Sequence, residues 1–197
     1  MLSARPSAAI LAGGQARRFG GRDKSRLVVE GRSIIVRQME VLQRVAHPIF
    51  IVGPRADLYA DVDLPVYTDL LPGYGAIGGL HTALEVAETD RVLVVGCDLP
   101  FLDAGLLEDM HARAAGRDGA WISSGRGPEP LVACYARRAR TVVLERLRGG
   151  ALKLGDLASV LDLAVLGEPD VERFGPISRL LANVNTPEDF ARIESSR

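Results

Sequence analysis

Between positions 13 and 24 the chain reads Gly-Gly-Gln-Ala-Arg-Arg-Phe-Gly-Gly-Arg-Asp-Lys. Four glycines, three arginines and one lysine share those twelve positions. Glycines let backbone N–H groups close on an anion and form a concave nest, and adjacent cations neutralise its charge. The chemistry such a loop serves is phosphate binding. Two commoner phosphate loops are excluded letter by letter. The dinucleotide fingerprint needs G-x-G-x-x-G, but Gly13 is followed by Gly14 and Gln15, and position 18 is Arg. The Walker loop needs a glycine before its Lys-Ser pair, and here Lys24-Ser25 follows Asp23, whose carboxylate would repel phosphate. A solvated Arg/Gly turn is the bland alternative. So many anion-binding features directly behind an apolar run weigh against it.

Two carboxylates follow apolar runs in the same way. Val92-Leu-Val-Val-Gly-Cys-Asp-Leu-Pro ends a candidate strand in Asp98. Mg²⁺ bound to triphosphate oxygens takes only one or two protein carboxylates plus water, so a single well-placed Asp suffices. Val66-Tyr67-Thr68-Asp69 ends another run in a carboxylate. There it could accept a bidentate pair from guanine N1–H and N2–H₂, or bonds from ribose hydroxyls, or simply cap the turn. Gly78 and Gly79 permit close backbone approach at the next helix start.

These residues need a scaffold that brings strand ends together. Continuous runs at Ala8–Ala12, Ile49–Gly53, Leu64–Thr68, Val92–Gly96 and Ala120–Ser123 carry no polar alternation, which predicts strands covered on both faces. Helical patterns lie between them: one capped by Ser33 and running to Val45, one over Ala76–Ala87, and one capped by Asp103 over Ala104–Ala115. Further on, Leu131–Tyr135 and Leu163–Leu166 read as strands, Arg137–Arg148 and Leu152–Leu161 as helices, and Pro187–Ile193 as a helix entered at Thr186. Alternation of this kind predicts an α/β fold: one doubly wound, three-layer, Rossmann-like domain with a mostly parallel central sheet. It spans 1–197 as a single domain. Ligands then bind at the carboxyl ends of the strands, where the glycine loop and both aspartates lie.

The bulk numbers exclude several classes. In 197 residues, 47% apolar and 25% charged, a net charge of −1 leaves no general nucleic-acid coat. Cys97 and Cys134 are the only cysteines, without C-x-x-C spacing, so neither a metal motif nor a disulfide framework is expected, and a cytoplasmic location is. No run approaches a membrane span or a signal h-region. Of the 24 basic residues 22 are Arg; only Lys24 and Lys153 are Lys. A lysine kept among arginines marks a site that wants a compact point charge on a flexible stem. Lys24 is that lysine, while Lys153 meets an acceptor phosphate or snorkels from a helix. His47, His81 and His111 have no motif spacing and are expected at the surface or as satisfied core residues. Trp121 and Cys97 read as core.

The segment Leu11–Lys24 resembles the loop of the molybdenum cofactor guanylyltransferase family of nucleotidyltransferases, L-A-G-G-x-A-R-R-[MF]-G-G-x-D-K. Gly96-Cys-Asp-Leu-Pro-Phe-Leu102 is similar to the family's P-C-D-x-P segment, with Gly in place of the first Pro and Asp98 in register. Asp69 stands where the family's E-D sits before a glycine segment. Pro128–Tyr135 and Leu181-Ala-Asn-Val-Asn-Thr-Pro-Glu-Asp189 resemble two later family motifs. The likeness runs from Ala9 to Phe190 and implies a nucleotide-binding half over about 1–105 and an acceptor-binding half over about 106–197. Val52-Gly53-Pro54-Arg55 departs from it, because the family has an Asn there near the guanine.

The resemblance implies GTP and molybdopterin, with or without molybdenum, as substrates and Mg²⁺ as cofactor. Leu11, Ala12, Gly13, Gly14, Lys24, Asp69 and Asp98 would bind the nucleotide, Asp98 the metal. Lys24, Arg18 and Asp98 would serve catalysis. Asn183, Asn185, Gly78 and Gly79 would meet the acceptor, with Gly125–Gly127 in the pterin-side loop. Molybdoenzymes and other cofactor-biosynthesis proteins are the implied protein partners; nucleic acid and membrane are not. An attacking phosphate is already ionised and needs no general base, which agrees with the lack of a Ser, Cys or His constellation. A molybdopterin cytidylyltransferase, a sugar-phosphate nucleotidyltransferase and a non-catalytic delivery protein are the alternative readings.

Overall fold

A computed structural model describes residues 5–12, 24–184 and 189. Nine strands occur among them: β1 (Ser7–Leu11), β2 (Val28–Val29), β3 (Arg32–Ser33), β4 (Ile49–Val52), β5 (Val66–Tyr67), β6 (Arg91–Gly96), β7 (Gly119–Ser124), β8 (Gly127–Ala136) and β9 (Leu163–Leu166). The helices are α1 (Ile34–Val45), α2 (Gly75–Val86), α3 (Ala104–Arg113), α4 (Arg140–Arg148), α5 (Glu168–Val171) and α6 (Ile177–Leu180). Seven strands make one sheet in the order β5-β4-β1-β6-β8-β7-β9, and β2 and β3 form a separate hairpin. β1, β4, β5 and β6 are mutually parallel, and β7 is parallel to β9. β8 lies between β6 and β7 and runs antiparallel to both.

The strands alternate side chains between two apolar layers. Ile10, Ile51, Leu93 and Val95 meet Ile35, Leu42, Leu107 and Met110 of α1 and α3 on one face. Ala9, Leu11, Phe50 and Val94 meet Leu80, Leu84, Val143 and Leu147 of α2 and α4 on the other. Each such buried aliphatic side chain contributes roughly 1.5–3 kcal/mol through lost water contact. This is the doubly wound, mostly parallel, three-layer arrangement that unbroken apolar strands require.

Several expected elements change in detail. The expected strand over Leu64–Thr68 contracts to β5, a two-residue edge strand, while Leu131–Tyr135 grows into the ten-residue β8. The helix expected over Leu152–Leu161 is a 3₁₀ segment, Leu154–Ser159; Gly155 within it costs about 1 kcal/mol of helix propensity. Arg137–Ala139 is likewise 3₁₀ before α4 begins. The β2–β3 hairpin, α5 and α6 were not anticipated. The hairpin turns at Glu30 and Gly31, both at positive φ (50° and 81°), a geometry that Gly supplies without strain. Asp103 caps α3 as expected, its Oδ1 accepting from Leu106 N at 2.9 Å. Ser33 stands at the N-cap of α1 without a side-chain bond. The helix expected over Pro187–Ile193 lies, but for Asp189, outside the described residues.

Trp121, Cys97 and Cys134 are core residues. His81 differs from expectation. It is buried in α2 with neither ring nitrogen hydrogen-bonded, and Glu85 lies 3.7 Å away. Lys153 is exposed, 3.9 Å from Asp156.

Candidate active site

The sheet register lines up four strand ends. Leu11 pairs with Val52 on one side and Gly96 on the other, and Val52 pairs with Tyr67. Asp69 and Asp98 each follow their strand by two residues, on the same edge. They stand three strand spacings apart, roughly 14 Å. Leu11 and Ala12, at the end of β1, lie between them and are buried.

Asp98 sits in a turn held on several sides. Cys97 N donates to Leu11 O at 3.1 Å, and Val184 N donates to Asp98 O at 2.9 Å. Gln38 of α1 donates to the carbonyls of Gly96 and Leu99, and Arg37 donates to Pro100 O at 2.9 Å. Burial pushes the Asp98 carboxyl up from the ordinary Asp value; Lys24 pulls it back down, and the Glu129 carboxylate raises it. Glu129 itself accepts from Ser124 Oγ at 2.9 Å. It reaches this edge because β8 runs antiparallel to β6, with Val132 opposite Val95 and Glu129 three residues before it.

Lys24 opens a 3₁₀ turn, Lys24–Arg26, whose base is fixed. Buried Ser25 donates to the Tyr59 hydroxyl at 3.3 Å, and Arg26 pairs with Asp61. Gly13, Gly14 and Arg18, and with them most of the glycine loop, lie outside the described residues, as does Asn185.

Asp69 holds a turn and faces the site edge. Its Oδ1 accepts from Leu71 N at 3.1 Å and from Thr82 Oγ1 at 2.9 Å, while Thr82 Oγ1 accepts from Leu70 N at 3.0 Å. The capping role is therefore realised through Oδ1. Gly78 closes the same corner: a Cβ there would stand 2.9 Å from Leu71 O and 3.0 Å from Asp69 Oδ2. A Cβ on Gly79 would meet Leu11 Cδ1 at 3.5 Å. The structure thus sets both glycines inside α2, Gly78 against Asp69 and Gly79 against Leu11.

Asn183 borders a cavity of about 730 Å³, with Phe101, Gly125, Arg126, Ile177 and Arg179 also in its wall. Phe101 follows Asp98 by three residues, and Val184 N on Asp98 O ties the Asn183 segment to the metal-candidate turn. Arg37 and Arg179 lie over the Phe101 ring, at 5.2 and 3.9 Å from its centroid, and both pair with Glu30. Those two cations hold the Glu30 carboxyl below the usual range, chiefly through the Arg179 hydrogen bond. The sequence discloses Asn183 and the Gly125–Gly127 loop for this wall and misses Phe101, Ile177 and Arg179, as it does Gln38, Thr82 and Glu129. Only Gln38, polar within an apolar helix stripe, offered a signal.

Asp98 is a hard, partly desolvated carboxylate next to a cation and a second carboxylate. That donor set fits a divalent ion that takes most of its shell from phosphate and water. Among the described residues no group of three or more His, Cys, Asp or Glu could hold a metal.

A doubly wound sheet with a loop rich in glycine and arginine after β1 and a lone carboxylate after β6 defines a nucleotide-binding transferase. Known proteins agree. Residues 8–162 match the MobA-like NTP transferase domain, and the chain belongs to that family. It is 32% identical over 93% of its length to a probable molybdenum cofactor guanylyltransferase of Pelotomaculum thermopropionicum, covering 89% of that protein. It is 33% identical over 95% of its length to the molybdenum cofactor guanylyltransferase of Shewanella woodyi, covering 94% of that protein. Among solved structures, molybdopterin-guanine dinucleotide biosynthesis protein A from Archaeoglobus fulgidus superposes with a TM-score of 0.82 at 26% identity, over 96% of this chain and 97% of that one. No helix among the described residues is long and apolar enough to cross a membrane.

Proposed function

We propose that this nucleotidyltransferase transfers GMP from GTP to the terminal phosphate of molybdopterin, releasing pyrophosphate and forming the guanine dinucleotide. The observation that carries the reading is the placement of Asp98 with Lys24 at the carboxyl edge of the sheet, directly beside the end of β1. The names of the relatives supply the substrates.

In this reading the base lies toward Asp69, the ribose over Leu11 and Ala12, and the triphosphate toward Gly13, Gly14, Arg18 and Lys24. The distance of roughly 14 Å between Asp69 and Asp98 spans that layout. Asp98 would hold Mg²⁺, with Glu129 behind it. The metal, when bound, supplies charge neutralisation at the phosphates of the leaving group. Lys24 carries a point charge to the same oxygens. The acceptor occupies the cavity beside Phe101, with Asn183 and Arg126 presenting donors to its polar edge and Asn185 following on the same segment. The acceptor phosphate is ionised at neutral pH, so the residues need only position it in line with the α-phosphorus. We place the enzyme in the cytoplasm, where its cysteines stay reduced.

Pyrophosphate release from GTP, CTP and UTP, each with molybdopterin and Mg²⁺, tests the reading. Release with GTP alone is the expected result. Release with CTP and not GTP overturns the guanylyl assignment. Tight GTP binding without release would turn the protein into a carrier.

A further inference from the structure

The face that α1 turns to the sheet is apolar: Ile34, Ile35, Leu42 and Val45 are buried. Gln38 stands in the middle of it, 1% exposed. A Leu or Met would fill that place without desolvating an amide. Gln38 Nε2 donates to Gly96 O at 2.7 Å and to Leu99 O at 3.0 Å. Two carbonyl acceptors settle which end of the amide is nitrogen. The other end, Oε1, is buried with no partner. An orphaned acceptor is unfavourable, so the side chain persists despite one unsatisfied atom.

The two carbonyls it holds are placed to matter. Gly96 is the last residue of β6, where the strand ladder stops. Leu99 follows Asp98. Between them they bracket the peptide units that set the direction of the Asp98 side chain. Other ties on this turn include Cys97 N on Leu11 O, Val184 N on Asp98 O and Arg37 on Pro100 O. Gln38 is the one side chain among the described residues that bonds to both flanks of Asp98.

We propose that Gln38 is a positioning residue for Asp98, fixing the carboxylate at the angle from which it takes a divalent cation together with the nucleotide phosphates. This rests on Asp98 being the metal carboxylate, as argued above.

The test is a double-mutant cycle read by binding. GTP is titrated calorimetrically, with Mn²⁺ and with EDTA, into the full chain, Gln38→Met, Asp98→Asn and the double variant. The ratio of the two affinities is the metal-linked gain. In Gln38→Met the gain falls about tenfold or more, as for other residues that orient a metal ligand. In Asp98→Asn it also falls, and the double variant is no worse than Asp98→Asn alone, because Gln38 acts through that carboxylate. In Gln38→Met the affinity in EDTA stays at the wild-type value. A wild-type gain in Gln38→Met, a loss that adds in full to that of Asp98→Asn, or a drop in the EDTA affinity of Gln38→Met overturns the proposal. If Asp98→Asn itself keeps the gain, the metal reading of Asp98 fails, and this inference fails with it. Gln38→Asn, an amide on a shorter stem, replaces Gln38→Met should that variant not fold.

Discussion

Asp98 is a group the fold holds at some disadvantage. Its carboxyl is raised chiefly by burial, so the folded, metal-free protein binds a proton there more tightly than the unfolded chain does. The sign follows from linkage: this contribution favours the folded state below the ordinary Asp value and is lost as pH rises through the raised one. Asp98→Asn is therefore expected to melt at a higher temperature than the wild type in EDTA at pH 7, with the difference vanishing below about pH 4. The same variant loses guanylyl transfer. Stability rising as activity disappears is a signature that a thermal scan beside a pyrophosphate assay reads directly. Lys24→Ala is expected to lower turnover about a hundredfold or more, the scale of removing one donor to a developing oxyanion. Lys24→Arg is not expected to restore it, since the guanidinium fork does not reproduce a point charge. Cys134 should stay silent: burial pushes its thiol up to about 12, so native protein resists alkylation there at pH 8 until it is unfolded.

At the scale of elements, α2 and the turn after β5 work as one piece. Thr82 joins them through Asp69 and Leu70. Thr82→Val leaves a part-buried N–H and a carboxylate oxygen short of a partner, which costs about 1–3 kcal/mol. The expected kinetic effect is a raised KM for GTP with kcat little changed, because the proposed layout sets Asp69 at the base, away from the reacting phosphorus. An equal fall in kcat would place Asp69 elsewhere. The sequence disclosed these elements unequally. Val92–Gly96 and Ile49–Gly53 could be read because a strand covered on both faces has no polar alternation to confuse it. Asp98 and Asp103 stood out as carboxylates where such runs end or helices start. The direction of β8 was hidden, since Leu131–Tyr135 looks the same run either way. So was the partner of Gln38, which lies 58 positions along the chain. Asn183 and the Gly125–Gly127 loop could be named for the cavity wall, but Phe101 and Arg179 were hidden, because they come from separate segments that only the fold joins to it.

For the whole molecule, the nucleotide should act as a clamp between β5, β1 and β6. Ligand at about a hundred times its dissociation constant adds about 2.7 kcal/mol to stability. For a domain of this size that is a rise in melting temperature of roughly 5–11 °C. GTP with Mg²⁺ is expected to produce that rise, GTP in EDTA a smaller one, and CTP or UTP little. Equal shifts from all three nucleotides would mean that the base is not read.

One part of the topology bears on how the chain reaches this state at all. β8 fills the place between β6 and β7, yet it is made after both. While the chain emerges from the ribosome, β6 has only β1 beside it, and its other edge, Val92 to Val95, is wholly apolar with open N–H and C=O groups. That edge closes only when Ala136 is available to pair with Arg91. Exposed edges of this kind template pairing between chains. A nascent chain stalled or cut near residue 105 would thus carry Lys24, Asp69 and Asp98 and still be a seed for aggregation, so synthesis through the tenth residue of β8 sets the earliest moment at which that edge is covered.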